Sequence, residues 1–162
     1  MSFVVRRWSP TTNDERRTTN MLKLTKELHN EIKVHGAASY PHEGCGLLLG
    51  HSDGESNVVV AARPLPNVWP VANEKPERFR IDPADWRDVE LEAMDEGLDV
   101  VGIFHSHPDH PPVASPRDVA WAAFAGYSYL ITQVVAGTPG LSRSWQLLPD
   151  RSGFVEEPIE EE

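Results

Sequence analysis

His105, His107, Ser115 and Asp118 stand within one short run of this 162-residue chain, and those residue types at that spacing suit a hydrolytic zinc centre. The apolar stretch Val100-Val101-Gly102-Ile103-Phe104 leads straight into His105-Ser106-His107-Pro108 and predicts a buried strand. Along a strand, residues two apart face the same way, so the two imidazoles point together and Ser106 points away. Pro108, which has no N–H to donate, ends the ladder. A catalytic zinc commonly takes two His and one carboxylate and leaves a fourth position for water, which makes Asp118 the third ligand.

Each of these residues also has a plainer reading. Ser115-Pro116-Arg117-Asp118 is a good helix start, with Ser at the N-cap, Pro at N1 and an acid at N3 facing the helix dipole. Asp82-Pro83-Ala84-Asp85 carries the same grammar with no histidine nearby. A lone His at a strand end is commonly a hydrogen-bonded surface residue. The conjunction of two such His with a capped acid shortly after them is what points to a metal. His110 lies beyond the proline and is expected to turn away from that metal. His42 and His51 read as surface or supporting groups.

Glu43 can supply a general base. It sits in Tyr40-Pro41-His42-Glu43-Gly44-Cys45-Gly46, just ahead of the apolar run Leu47-Leu48-Leu49. A carboxylate beside an activated water can accept its proton and later deliver it to a departing amine. Spacing alone does not single Glu43 out among 25 acidic residues.

Taken together, His-x-His-Pro, six residues, then Ser-x-x-Asp, with an upstream Glu opening a glycine-flanked strand, resembles the JAMM motif of the MPN-type metalloproteases. His105, His107, Pro108, Ser115 and Asp118 match it without insertion or substitution. The resemblance extends from about residue 21 to about residue 155, and residues 40–50, 78–83 and 129–131 are similar to the small bacterial single-domain branch. It implies one zinc ion per monomer on His105, His107 and Asp118. It also implies that Glu43 activates the water and that Ser115 helps stabilise the tetrahedral intermediate. The fold it implies is the α/β MPN fold, cytidine-deaminase-like, a mixed sheet with packed helices. The activity it implies is hydrolysis at the C-terminal Gly-Gly end of a ubiquitin-like sulfur-carrier protein, releasing cysteine or a short peptide. The resemblance admits a homodimer as well.

Two other outcomes stay open: an isopeptidase that removes ubiquitin-like modifiers from conjugated proteins, and a non-catalytic MPN scaffold. A scaffold has no need to keep Glu43, both histidines, Ser115 and Asp118 together. A nucleophilic triad of Ser106, His107 and Asp109 lacks the Gly-x-Ser-x-Gly elbow. A zinc deaminase requires Pro-Cys-x-x-Cys, and this chain has one cysteine, Cys45, which reads as a small buried strand residue.

The elements that must hold this set follow an alternating α/β order. Leu24, Leu28 and Ile32 mark one face of a first helix ending by Gly36 or shortly after. Strands are expected at 45–50 and 57–62, joined by Ser52-Asp53-Gly54-Glu55. Residues 63–80 hold four prolines and two asparagines and predict a long, shaped loop that lines the substrate groove. Within it, Arg78 and Arg80 are candidate partners for carboxylates of a substrate, and equally flanks of an edge strand. A second helix starts at Asp82-Pro83 with Trp86, Val89, Ala93 and Gly97 on one face. A third starts at Ser115, with Val119, Ala120, Ala123 and Phe124 inward and Gly126 as its stop. Phe104, Trp121 and Phe124 read as core. Further strands are expected at 128–136, 143–148 and near Phe154.

Domain organisation follows from composition. Residues 1–20 are polar and aperiodic and read as a loosely ordered extension, residues 21–155 as the folded domain, and 156–162 as an acidic, solvated tail. A chain of this length supports one domain that buries about two-thirds of its unfolded surface. The net charge is −10; Arg6, Arg7, Arg16 and Arg17 against Asp14 and Glu15 make residues 1–20 +2, which leaves −12 for the rest. Such a body repels phosphate backbones, so no nucleic-acid partner is expected. No apolar run approaches the ~20 residues that span a bilayer. The N-terminus lacks a signal peptide's apolar core, and a single cysteine suits a reducing cytoplasm.

Overall fold

Leu47-Leu48-Leu49, Ile103-Phe104 and Leu130-Ile131 are apolar at successive positions, so a strand through them must be covered on both faces. In the computed structural model these runs form the middle of the sheet and every one of these side chains is buried. The structure describes residues 4–7 as backbone, and residues 21–115, 118 and 124–162 in full. Among them the order is β1 (Val4–Arg7), β2 (Leu22–Leu24), α1 (Lys26–Ser39), β3 (Cys45–Ser52), β4 (Asn57–Leu65), α2 (Pro83–Asp95), β5 (Asp99–Pro108), β6 (Ser128–Val135), β7 (Thr138–Leu147), β8 (Gly153–Glu157) and β9 (Ile159–Glu161). A short 3₁₀ turn, Ala72–Glu74, lies in the loop after β4. The strands make one mixed sheet in the order β1-β8-β7-β6-β5-β3-β4-β2-β9. Among the described residues, no helix is long and apolar enough to cross a membrane.

Strand periodicity divides the core in two. Leu47, Leu49, Ile103 and Ile131 face α2 with Val89, Ala93, Trp145 and Phe154, while Leu48, Phe104 and Leu130 face α1 with Leu28 and Ile32. The first helix starts later than its apolar spacing suggests. The Thr25 hydroxyl caps it, accepting the Leu28 N–H at 3.1 Å, and Leu24 belongs to β2 instead. Gly36 does not end α1, which runs on to Ser39. Its missing side chain lets the helix lie directly on β5, where a Cβ would stand 3.1 Å from Ser106 Cβ. The second helix starts as expected, with the Asp82 carboxylate accepting the Ala84 N–H at 2.8 Å and Pro83 in the first turn. Of the third helix, residues 116–117 and 119–123 lie outside the described residues, Trp121 among them. Phe124, expected in the core, is instead 45% exposed and rests against Tyr127, with ring centroids 4.7 Å apart.

The chain end departs most from expectation. Residues 156–162 do not form a solvated tail: β8 pairs with β7, and β9 pairs with β2 at the other flank of the sheet. Only Pro158 separates β8 from β9, so the sheet curls until its two flanks meet there, with the Leu22 N–H donating to the Pro158 carbonyl at 2.9 Å. Glu157 and Glu161 tolerate these positions because each has polar cover. Glu161 bonds the buried His29, and Glu157 accepts from the Ser144 hydroxyl at 2.7 Å and the Gln146 amide at 2.8 Å. Within 1–20, Val4–Arg7 runs parallel to β8, and the rest of that stretch lies outside the described residues. A boundary at 155 therefore falls inside β8.

Glu157 carries a pH consequence. Burial outweighs its hydrogen bonds from Ser128, Ser144 and Gln146 and raises its pKa from 4.5 to about 7. The folded state thus holds this proton more tightly than the unfolded state, and its contribution to stability is lost as pH rises from the unfolded pKa through about 7. Glu157→Gln removes that loss, on the order of 3 kcal/mol at the alkaline end. The variant's melting temperature relative to the parent should rise between pH 5 and pH 8. A pH-independent difference would show that Glu157 does not titrate in this window.

Candidate active site

The alternation of β5 puts His105 and His107 on the α2 side of the sheet and Ser106 on the α1 side. Both imidazoles are buried, and their Nε2 atoms lie 3.1 Å apart. The His105 ring stacks on Phe79 at 4.6 Å between centroids, so Phe79 fixes its plane. The Nδ1–H of His107 donates to the Pro111 carbonyl at 2.7 Å, which leaves the Nε2 lone pair for a cation. Ser106, on the opposite side, accepts the Gly44 N–H at 2.8 Å and so ties β5 to the start of β3.

Asp118 meets these nitrogens directly: Oδ1 is 3.1 Å from His105 Nε2, and Oδ2 is 3.6 Å from His107 Nε2. The helix-cap reading of Ser115 and Asp118 holds at the same time. The Ser115 N–H donates to Asp118 Oδ2 at 2.7 Å, and the Asp118 N–H donates to Ser115 Oγ at 3.2 Å. Burial raises the Asp118 pKa, but the two histidines outweigh it and hold the carboxyl well below the usual carboxylate range. Donor atoms of His105, His107 and Asp118 lie within 4.8 Å of one another. Two imidazole nitrogens and an ionised carboxylate, buried and convergent, are a donor set that fits zinc.

Glu43 reaches the same place by strand register. Cys45 pairs with His105 in the antiparallel β3–β5 ladder, and two residues further back this register sets Glu43 beside His107. Its backbone is fixed independently: the Glu43 N–H donates to the Lys75 carbonyl at 2.8 Å, and its carbonyl accepts the Asn67 amide at 3.0 Å. The side chain is buried yet lines an open cleft of about 660 Å³, shared with His107, Ser115, His110, Pro41 and Pro76. Cys45 is fully buried and its thiol, pushed up to about 12 by burial, is no nucleophile.

One part of the site runs against the sequence reading. His110 does not turn away. Asp109 adopts a left-handed φ of 59°, and this swings the His110 ring back over His107, with centroids 4.3 Å apart. Arg78 and Arg80 are not among the residues lining the cleft, to which the 63–80 loop contributes Pro76 and Glu77. Their guanidinium groups instead lie over the Trp69 ring, at 5.1 and 5.2 Å from its centroid. The alternation Arg78-Phe79-Arg80 explains this: one side chain goes inward to His105, and its neighbours go outward.

A family of prokaryotic homologues of the JAB domain matches residues 25–148, which include Glu43 and the whole histidine motif. The chain belongs to this family. Among JAB relatives, a desampylase of Haloferax volcanii is 38% identical over 119 residues, covering 70% of this chain and 81% of that protein. A probable TtuB-protein conjugate cleaving protease of Thermus thermophilus is 32% identical over 122 residues, covering 75% and 73%. A solution structure from Desulfitobacterium hafniense superposes with a TM-score of 0.74 at 32% identity, over 88% of this chain and 94% of that one. A JAB1/MPN domain protein of Archaeoglobus fulgidus shares the fold, with a TM-score of 0.52 at 19% identity over 87% and 99%. The JAB/MPN fold and the JAMM class of hydrolase are thus those of this chain.

Proposed function

We propose that this chain is a zinc-dependent protease that cleaves the amide bond after the C-terminal Gly-Gly end of a ubiquitin-like protein, releasing that protein from its conjugates. The observation that carries the proposal is the convergence of His105, His107 and Asp118 on the cleft that Glu43 and Ser115 line. The names of the desampylase and of the conjugate cleaving protease support a conjugate as substrate, ahead of the carrier–cysteine adduct expected from the motif. Cytoplasmic action on a sulfur-carrier-like partner, by a monomer or a homodimer, fits the same reading.

His105, His107 and Asp118 would hold one zinc ion per chain, which would supply Lewis acidity toward water and toward the scissile carbonyl. Glu43 takes the water's proton as the carbonyl is attacked, then returns it to the amine that leaves. Ser115 Oγ accepts the Asp118 N–H and keeps its own proton, which it donates to the developing oxyanion. Pro41 and Pro76 line the cleft, which receives an extended chain end of the substrate. Arg78, next in sequence to the cleft residue Glu77, and Arg80, two residues further on, present positive charge to carboxylates of the carrier or its tail.

The direct test incubates the zinc-loaded chain with a ubiquitin-like protein conjugate and, separately, with a carrier–cysteine adduct, following intact mass. Recovery of the free carrier from the conjugate is the expected result. Cleavage of the cysteine adduct alone would move the substrate to the carrier itself, and cleavage of neither would overturn the proposal. Ser115→Ala should lower kcat by about 10²–10³-fold, the cost of losing one oxyanion donor, with zinc content unchanged. Arg78→Ala with Arg80→Ala should raise KM and leave kcat near the parent value. A kcat effect instead would place these arginines at the chemistry.

A further inference from the structure

We propose that Glu43 and His110 form a second, weaker site for a divalent transition-metal ion on the open side of His107, and that filling this site silences the enzyme by engaging Glu43. The inhibitory half of this proposal rests on Glu43 being the base. The metal-binding half does not.

One donor atom each from Glu43, His107 and His110 lie within 4.8 Å of one another, as closely gathered as those of His105, His107 and Asp118. The two triads share His107, whose Nδ1–H is committed to the Pro111 carbonyl. A single Nε2 lone pair remains, and one lone pair cannot serve two ions. The set containing Asp118 has two imidazoles and a carboxylate already converged at 3.1–3.6 Å, so it fills first. Glu43 and His110 are then left as a two-donor pair on the cleft side, which binds more weakly than three donors.

His110 is prepared for this role. Its Nδ1–H donates to the Pro108 carbonyl at 2.7 Å, so Nε2 is the nitrogen that carries the lone pair. Its ring is held by the stack on His107, at 23° between planes. The turn beneath it is clamped through Asp109, whose N–H donates to the Val134 carbonyl at 2.7 Å. The Asp109 carboxylate accepts the Ala136 N–H at 2.8 Å and the Tyr40 hydroxyl at 2.5 Å. A ligand placed this firmly loses little freedom on binding. Imidazole with carboxylate favours zinc, cobalt and copper over magnesium. A carboxylate whose lone pair is bound to a cation cannot take a proton from water, so hydrolysis stops while the first ion stays in place.

The test uses the full chain loaded with one equivalent of zinc, then dialysed against rising zinc, with metal content and hydrolysis rate measured on the same samples. The parent should take up a second equivalent as its rate falls at least about tenfold, since losing a general base costs about 10²–10⁴-fold. Magnesium in place of the added zinc should do neither. His110→Asn and His110→Ala should bind the first equivalent, which reports an intact fold, and should not bind the second. Their rate at excess zinc should match their own rate at one equivalent. A second equivalent that binds equally well to both variants, or a parent that stays at one equivalent with its full rate, would overturn the proposal. Absence of hydrolysis at every zinc level would count against the assigned function, and the zinc count in parent and variants would still decide the second site.

Discussion

Glu43→Gln should keep the fold and the metal and lower turnover by about 10²–10⁴-fold, the usual worth of a general base. Gln has the shape of Glu and can accept a hydrogen bond, but it cannot take a proton from water at neutral pH. The fold should persist because the Glu43 backbone is held by the Lys75 carbonyl and the Asn67 amide, bonds that Gln keeps. The metal should persist because His105, His107 and Asp118 already make a complete triad without it. Turnover and zinc content measured on one preparation check both halves. If Glu43→Gln lost zinc as readily as a variant of Asp118, Glu43 would be a ligand and some other group would have to move the proton.

The gathering of these side chains was largely legible in the sequence, because strands of period two decide it. The run through Val100 to Phe104 predicts a strand, and the strand sets His105 and His107 on one face. The apolar run at Leu47 to Leu49 likewise predicts the partner strand, which Glu43 precedes by two residues. What the sequence concealed depends on single backbone torsions or distant partners. His110 returns to the site only because Asp109 takes a left-handed conformation, and a proline before it suggests the opposite. Arg78 and Arg80 lie over Trp69, a residue in an irregular stretch that no periodicity connects to them. The acidic chain end looked solvated by composition. Yet Glu157 finds Ser144 and Gln146 on the neighbouring strand, and Glu161 finds His29 from a helix more than 100 residues earlier. Phe79 could have been found: the alternation Arg-Phe-Arg-Ile marks it as inward, although not as the residue that stacks on His105.

Asp118 meets the two histidines and also accepts the Ser115 N–H, and two substitutions separate these contacts. Asp118→Ala removes the carboxylate from the histidines and also deprives the Ser115 N–H of its acceptor at 2.7 Å. It should therefore lose most of the zinc and cost the metal-free protein about 1 kcal/mol as well, the usual price of a lost helix-capping bond. Asp118→Asn keeps an oxygen for the Ser115 N–H and places an amide, a poor zinc ligand, toward His105 and His107. Its metal-free melting temperature should stay near that of the parent, while its zinc affinity falls at least 10–100-fold, about what even an outer hydrogen-bond partner of a ligand is worth. Hydrolysis should fall with zinc content in both variants, and added zinc should restore Asp118→Asn only in part. Metal analysis after dialysis and a melting curve on each variant separate the two effects. Stoichiometric zinc in a His105→Ala, His107→Ala double variant would remove the metal centre from these residues altogether, since both three-donor sets among the described residues include His107.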